Sequence, residues 1–337
     1  VPESGIFRCA EVKNLPGLGS SGKLSTNPGK SLAHPVFMNL FIFGAGYAAR
    51  QLAHAYRDRF MRIGGTFRSA ANRETLQDCG ITPYFFDADR YDPGILDEIA
   101  RADALLTSIP PVSGSDPVLR SMSDAIMTAP HLRWIGYLST VGVYGDADGA
   151  WVDEDSPPRP VNERSRHRVV AENQWLKLGE HISAAVQVFR LAGIYGPGRN
   201  ALLKVANRTA QRIIKPGQVF NRIHSADIAQ VLMASIEHPS RQAIYNVADD
   251  EPCPPQDVIT YAARLLGLAP PPEMPFEEAN LSPIAHSFYQ DDKRVRNLKI
   301  KNELGVTLRF PTYREGLDAL FASGEGTRLP KGIKGEE

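Results

Sequence analysis

Leu40-Phe41-Ile42-Phe43-Gly44-Ala45-Gly46-Tyr47-Ala48-Ala49 is the stretch whose reading decides the fold. Four apolar residues in a row read as a buried strand, and the glycines after them as a tight turn. Ala48, Ala49, Leu52, Ala53 and Tyr56 then fall on one face of a helix, while Arg50, Gln51 and Arg57 point away. A strand entering a helix through Gly-x-Gly lets backbone approach a pyrophosphate, and the helix N-terminus supplies N–H donors and a partial positive charge. Gly44 and Gly46 fill the first two glycine positions of the dinucleotide fingerprint. Ala49 fills the third, where a small residue suffices for helix to pack on strand. In the next strand, Gly65-Thr66-Phe67-Arg68-Ser69, the acid that usually holds the adenosine ribose is missing. Arg68 stands at the strand end, where an arginine suits a 2′-phosphate, so NADP(H) is expected ahead of NAD.

Outward from this turn, strand and helix alternate. Strands are expected at Gly64–Arg68, Thr82–Phe86, Ala104–Ile109, Trp134–Ser139 and Ala184–Leu191, and helices at Ala71–Cys79, Pro93–Ala100, Pro117–Thr128 and Glu163–Leu178. That alternation predicts an α/β fold, a Rossmann-type doubly wound parallel sheet over residues 37–195. Beyond Tyr195 the pattern loosens. Helices are expected at Ala201–Ile214, Ala226–Glu237, Pro255–Leu266 and Tyr313–Phe321, a strand at Ala243–Val247, and a proline-dense loop at Leu268–Pro275. Residues 196–325 therefore read as a smaller C-terminal substrate lobe, partly interleaved with the sheet. Residues 1–36, rich in Gly, Ser, Pro and Lys, read as a disordered tail or extension, with a second short tail at 326–337.

The chain has 337 residues, 42% hydrophobic and 23% charged, the composition of a soluble globular enzyme. Lys plus Arg equals Asp plus Glu at 38 each, so no global field draws nucleic acid or an anionic membrane. Cys9, Cys79 and Cys253 are scattered and odd in number, which indicates neither a disulfide framework nor a zinc site. A cytoplasmic location fits, and no stretch approaches the apolar length of a transmembrane helix. The expected partner is a small-molecule substrate, with a homodimer compatible.

Four further segments carry a resemblance. Tyr137-Leu138-Ser139-Thr140-Val141-Gly142-Val143-Tyr144-Gly145 is similar to the Ser-rich strand end and Val-Tyr-Gly of the extended short-chain dehydrogenases/reductases. Arg190 to Arg199 is similar to their sixth-strand segment, Arg222 to Ala229 to their Ile-His-x-x-Asp segment, and Tyr245-Asn246-Val247 to their next strand. From Met38 to about Leu320 the chain resembles the NAD-dependent epimerase/dehydratase family, particularly its atypical nucleoside-diphosphate-sugar epimerase-like branch. The resemblance implies that Gly44, Ala45, Gly46, Tyr47 and Ala48 face the pyrophosphate. It places Arg68 and Ser69 at the ribose phosphate and Asp87 at the adenine edge. Ser108, Ile109 and Pro110 line the path to the nicotinamide ribose, and Leu191 and Ala192 lie near the nicotinamide ring. Thr140 occupies the position of the catalytic hydroxyl.

The chain departs from the family at the Tyr-x-x-x-Lys pair. With Glu172 setting the register, those positions hold Arg164 and Arg168. A phenol tuned by an ammonium exchanges protons with a substrate; a guanidinium stays protonated and does not. Arg168 can replace lysine at the cofactor ribose, and the two arginines can together clamp a phosphate or carboxylate, or form a solvated basic run. Tyr144, Tyr195 and His224 are the other titratable candidates, and Arg222 and Lys293 the candidate anion contacts of the lobe. Asp153-Glu154-Asp155 reads as solvated surface, and no metal site is expected. Two functions follow as expectations. One is an NADP(H)-dependent oxidoreductase acting on a carbonyl or secondary alcohol of a nucleotide-sugar-like substrate. The other is an NADP(H)-binding sensor or assembly protein without turnover.

Overall fold

The computed structural model describes residues 38–327, so the expected tail at 1–36 and nearly all of that at 326–337 lie outside the described residues. Strand and helix alternate from the start: β1 (Met38–Phe43), α1 (Tyr47–Ala55), β2 (Phe60–Phe67), α2 (Ala70–Asp78), β3 (Thr82–Phe85), α3 (Gly94–Arg101), β4 (Ala104–Thr107), α4 (Pro117–Met127), β5 (Trp134–Thr140), a short β6 (Trp151–Val152), α5 (Glu163–His181) and β7 (Ala185–Leu191). Then come β8 (Gly193–Tyr195), α6 (Ala201–Ala206), β9 (Arg212–Ile214), β10 (Arg222–His224), α7 (Ser225–Glu237), β11 (Gln242–Val247), α8 (Pro255–Leu265), β12 (Glu273–Pro275), α9 (Pro283–Ser287), β13 (Arg294–Val295), α10 (Leu298–Leu304) and α11 (Tyr313–Ala322).

Seven strands form one sheet in the order β3-β2-β1-β4-β5-β7-β11, every neighbouring pair parallel. The order reverses between β1 and β4. A crevice opens at such a switch point beyond the carboxyl ends of the strands. Side chains alternate across the sheet as the strand period requires. Leu40 and Ile42 pack with α1, α7 and α10 on one face, through Leu52, Ile228 and Ile300. Phe41 and Phe43 pack with α3, α4 and α5 on the other, through Ile99, Val118 and Trp175. A third cluster, built from Leu202, Val258, Ala262 and Leu317, is the core of the C-terminal lobe.

One expectation needs correction. The expected helix Ala201–Ile214 stops at Ala206, because Arg208 takes a left-handed φ of 56° and Ile213 and Ile214 extend to pair with Met274 and Pro275. Part of the proline-dense loop thus becomes a strand, β12. Residues 196–325 interleave with the sheet: β11 returns to pair with β7 along its whole length, Gln242↔Val186 through Val247↔Leu191.

Candidate functional site: a glycine turn at the sheet's switch point

Gly44 leaves β1 with φ 74°, a conformation that L side chains rarely adopt. A Cβ at this position would lie 2.8 Å from Ile109 Cγ1, so the turn presses directly onto the end of β4. The Gly44 N–H donates to Thr66 Oγ1 at 2.8 Å, the Ala45 N–H to the Thr66 carbonyl at 3.2 Å, and Ser108 Oγ donates to the Gly44 carbonyl. The turn is thereby fixed from both neighbouring strands. Thr66 was not foreseen. Its one signal in the sequence is a hydroxyl inside an otherwise apolar strand, and the structure buries it at 4% exposure.

Gly46 begins the nine-residue α1, and no described side chain caps that end. A Cβ on Gly46 would meet only the Gly44 carbonyl at 3.8 Å and Ser108 Oγ at 4.0 Å, so the space ahead of the helix is open. A held glycine turn, an uncapped helix N-terminus and this room fit the diphosphate of a dinucleotide. Ala45 and Ala48 are buried beneath the turn. Tyr47 behaves differently from a simple backbone contact. Its phenol donates to the Pro197 carbonyl at 2.9 Å, beside Ser225 Oγ at 3.4 Å, and burial pushes its pKa up to about 12.

Along the same edge, Arg68 and Ser69 follow β2, both exposed, and Arg68 makes no ion pair among the described residues. Asp87 follows β3 half-buried, 3.5 Å from Arg90. Ser108, Ile109 and Pro110 follow β4, and Leu191 and Ala192 are buried at the end of β7. Thr140 ends β5, two strands from β1 and therefore about 10 Å away across the edge. Its Oγ1 accepts the Gly142 N–H at 3.1 Å, which leaves the hydroxyl proton to donate.

The arginine pair separates. Arg168 turns inward, its Nη1 donating to the Leu138 carbonyl at 2.7 Å and to Tyr137 Oη at 3.0 Å. Arg164 is exposed, with its guanidinium 6.0 Å from the Phe288 ring centre. With different partners, the two do not form the clamp the helix spacing allows. Below them, Glu172 and Arg190 form a buried bidentate pair: Nη2 donates to Oε2 at 2.8 Å and Nε to Oε2 at 3.2 Å, and Ser139 Oγ donates to the same carboxylate.

Other named candidates are committed elsewhere. Tyr144 is 2% exposed; its phenol donates to Asn246 Oδ1 at 2.7 Å, and burial raises its pKa to about 12. The Tyr195 phenol donates to the Thr312 carbonyl at 3.3 Å under Gly316, and burial raises its pKa well above the usual value. Both phenols, named as catalytic candidates, thus donate to acceptors within the fold. His224 is fully buried, accepts the Ala226 N–H at 3.1 Å to cap α7, and is driven by burial to a pKa of about 3. Lys293, the expected anion contact, is buried against Asp291 and the Gly145 carbonyl. Arg222 is half-buried, with Nη1 held by the Phe220 carbonyl at 2.9 Å and by Cys253 Sγ at 2.9 Å. Glu154 is not simply solvated, since it accepts the Asn246 N–H at 2.7 Å. Among the described residues no cluster of His, Cys, Asp or Glu could hold a metal, and no helix is long and apolar enough to cross a membrane.

Strand order, switch point and glycine turn define a Rossmann-type α/β protein with the fold of the NAD-dependent epimerases and dehydratases of the short-chain dehydrogenase/reductase superfamily. A functionally unknown conserved protein from Silicibacter pomeroyi DSS is 50% identical, over 86% of this chain and 99% of its own, with a TM-score of 0.79. The chain belongs to the family of that protein, an epimerase/dehydratase-like one by its fold. Protein YeeZ of Escherichia coli (strain K12) is 27% identical over 283 residues, 80% of this chain and 95% of YeeZ. The dTDP-glucose 4,6-dehydratase of Bacillus anthracis str. Ames, solved in complex with NAD, is 16% identical with a TM-score of 0.68, covering 86% of this chain and 96% of its own. No protein-family model matches the chain.

Proposed function

We propose that this chain binds a nicotinamide dinucleotide across the carboxyl ends of β1, β2 and β4, with NADP(H) favoured by Arg68. The observation that carries the reading is the Gly44–Gly46 turn, braced by Thr66 and Ser108 ahead of an uncapped α1. Arg68 stands exposed where a 2′-phosphate needs a counter-charge, and no acid replaces it there. The dehydratase of like fold is described with NAD, which makes the choice between the two nucleotides the point to test.

The reaction supported best is hydride exchange with a carbonyl or secondary alcohol, and a nucleotide-sugar-like substrate is the class we infer from the fold. The dinucleotide, when bound, supplies the hydride-transfer chemistry. Thr140 orients the substrate oxygen with its free hydroxyl proton, and water supplies or takes up the proton that accompanies the hydride. Arg168 holds the end of β5 through the Leu138 carbonyl, and exposed Arg164 stands toward the C-terminal lobe as an anion contact. A second reading, dinucleotide binding without turnover, is favoured by one observation. The Tyr-x-x-x-Lys positions hold Arg164 and Arg168, and the phenols of Tyr144 and Tyr195 are buried.

Thermal unfolding with NADPH or NADH tests the binding claim. A ligand at 100 times its dissociation constant stabilises the folded state by about 2.7 kcal/mol. NADPH is expected to raise Tm more than NADH, and Arg68→Ala to erase the difference. Equal shifts with both would overturn the NADP assignment, and no shift with either would overturn dinucleotide binding. NADPH oxidation with any of a panel of carbonyl and nucleotide-sugar substrates would exclude the reading without turnover.

A further inference from the structure

The C-terminal lobe reaches back to the glycine turn at one corner. Residues 196–199 form a tight hairpin, Gly196 and Arg199 exchanging backbone hydrogen bonds at 3.0 Å each. Its Pro197 carbonyl receives the Tyr47 phenol, and its Arg199 guanidinium lies 5.9 Å from the centre of the Tyr47 ring. Tyr47 is the first residue of α1, so this hairpin stands beside the helix end assigned to the diphosphate.

Arg199 is exposed and makes no ion pair among the described residues. Three other cations of the lobe are paired: Arg212 with Glu273 at 2.8 Å, Lys301 with Asp250 at 2.5 Å, and Arg314 with Glu251. The acid at this corner, Glu325, is spent on the hairpin itself. Its Oε1 accepts the Gly198 N–H at 3.0 Å and its Oε2 the Asn200 Nδ2 at 2.7 Å. Nor does Tyr47 neutralise the guanidinium, because burial keeps its phenol protonated to about pH 12. An arginine is thus held over the first residue of a dinucleotide helix without an ion pair among the described residues, on a loop that the Glu325 carboxylate fixes.

We propose that Arg199 contacts the cofactor diphosphate from the C-terminal lobe, and that Glu325 is the positioning residue that sets its hairpin. The inference rests on the dinucleotide reading above. It makes the site a joint product of both lobes: donors from α1 on one side and a cation from the lobe on the other. A guanidinium forks well onto phosphate oxygens, and such a charge-assisted contact strengthens binding about tenfold when partly exposed.

Titration calorimetry of the whole chain with NADPH, NADH and ADP-ribose tests it, since all three share the diphosphate. Arg199→Gln is expected to weaken all three about equally, near tenfold, and to flatten the salt dependence of binding. Arg199→Lys should recover part of the loss. Glu325→Gln should weaken binding less in the wild-type background and not at all beside Arg199→Gln. Arg68→Ala gives the contrasting pattern, weakening NADPH alone. Unchanged affinities in both Arg199→Gln and Arg199→Ala would overturn the proposal, as would a loss confined to NADPH. A variant whose ligand-free Tm falls with its affinity would also count against it, because the effect would then be structural. Wild-type protein that binds none of the three ligands would instead refute the dinucleotide reading itself.

Discussion

Glu172→Gln removes one negative charge from the middle of the molecule and leaves its partner in place. Arg190 and Glu172 are 3% and 2% exposed, and the guanidinium donates to both carboxylate oxygens at 2.8–3.3 Å. Arg190 cannot swing to water. Its Nη1 is buried without a hydrogen-bond partner, and the guanidinium carbon lies 4.8 Å from the centre of the Tyr144 ring. Glutamine keeps one acceptor, but its amide nitrogen turns a second donor toward the guanidinium or toward Ser139 Oγ. Breaking a buried pair from one side costs about 3–5 kcal/mol. For 337 residues, at about 2.1 cal/mol/K of unfolding entropy per residue, that lowers Tm by about 4–7 °C. Removing both charges is far milder, because no charge is then stranded. Urea unfolding of wild type, Glu172→Gln, Arg190→Met and Glu172→Gln/Arg190→Met closes a double-mutant cycle. The double variant is expected to be more stable than either single one. Additive losses, or a Glu172→Gln cost below about 1 kcal/mol, would refute the stranded-charge argument.

Gly44→Ala combines a left-handed φ with a Cβ 2.8 Å from Ile109, so it should cost at least about 1–2 kcal/mol in urea unfolding and abolish dinucleotide binding by calorimetry. Wild-type binding by this variant would show that the turn is not the diphosphate site. His224 has a folded pKa lowered by burial from 6.5 to about 3, so its stabilising contribution is complete above pH 6.5 and falls as pH drops toward 3. The cost of His224→Asn should therefore be largest at pH 7 and shrink by up to about 1.4 kcal/mol per unit below pH 6.5. A cost independent of pH would show that the imidazole is not held neutral.

The sheet half of the fold was legible because its local signals agree. Short apolar runs, amphipathic helices and turn residues all mark the same boundaries, and β4, β5, α4 and β7 lie within two residues of where the sequence puts them. The glycine turn was legible for the same reason. Its supports were not: Thr66, Ser108 and Ile109 meet Gly44 only because three parallel strands lie in register, which no local pattern encodes. Apart from β11, the strands after residue 196 are two or three residues long, and β9 pairs with β12 across some sixty residues. So short a strand has no period to read, and Ile213-Ile214 was absorbed into a neighbouring helix. The hydrogen-bond partners of the tyrosines were hidden for a related reason. Tyr144 and Tyr195 both follow strand ends at the ligand edge, and only the packing against Asn246 and Gly316 shows that their phenols point inward.

The return of β11 has a practical consequence for anyone engineering this chain. Because the strand after the lobe's first half completes the sheet beside β7, the two lobes are not modules joined at one hinge. A fragment ending at Tyr195 would leave the fully buried strand Ala185–Leu191 as a bare edge, ready to pair with another copy. Exchanging the lobe with that of a relative therefore requires three cuts, one after β8 and one on each side of the α7–β11 return, so that the recipient keeps its own seventh strand.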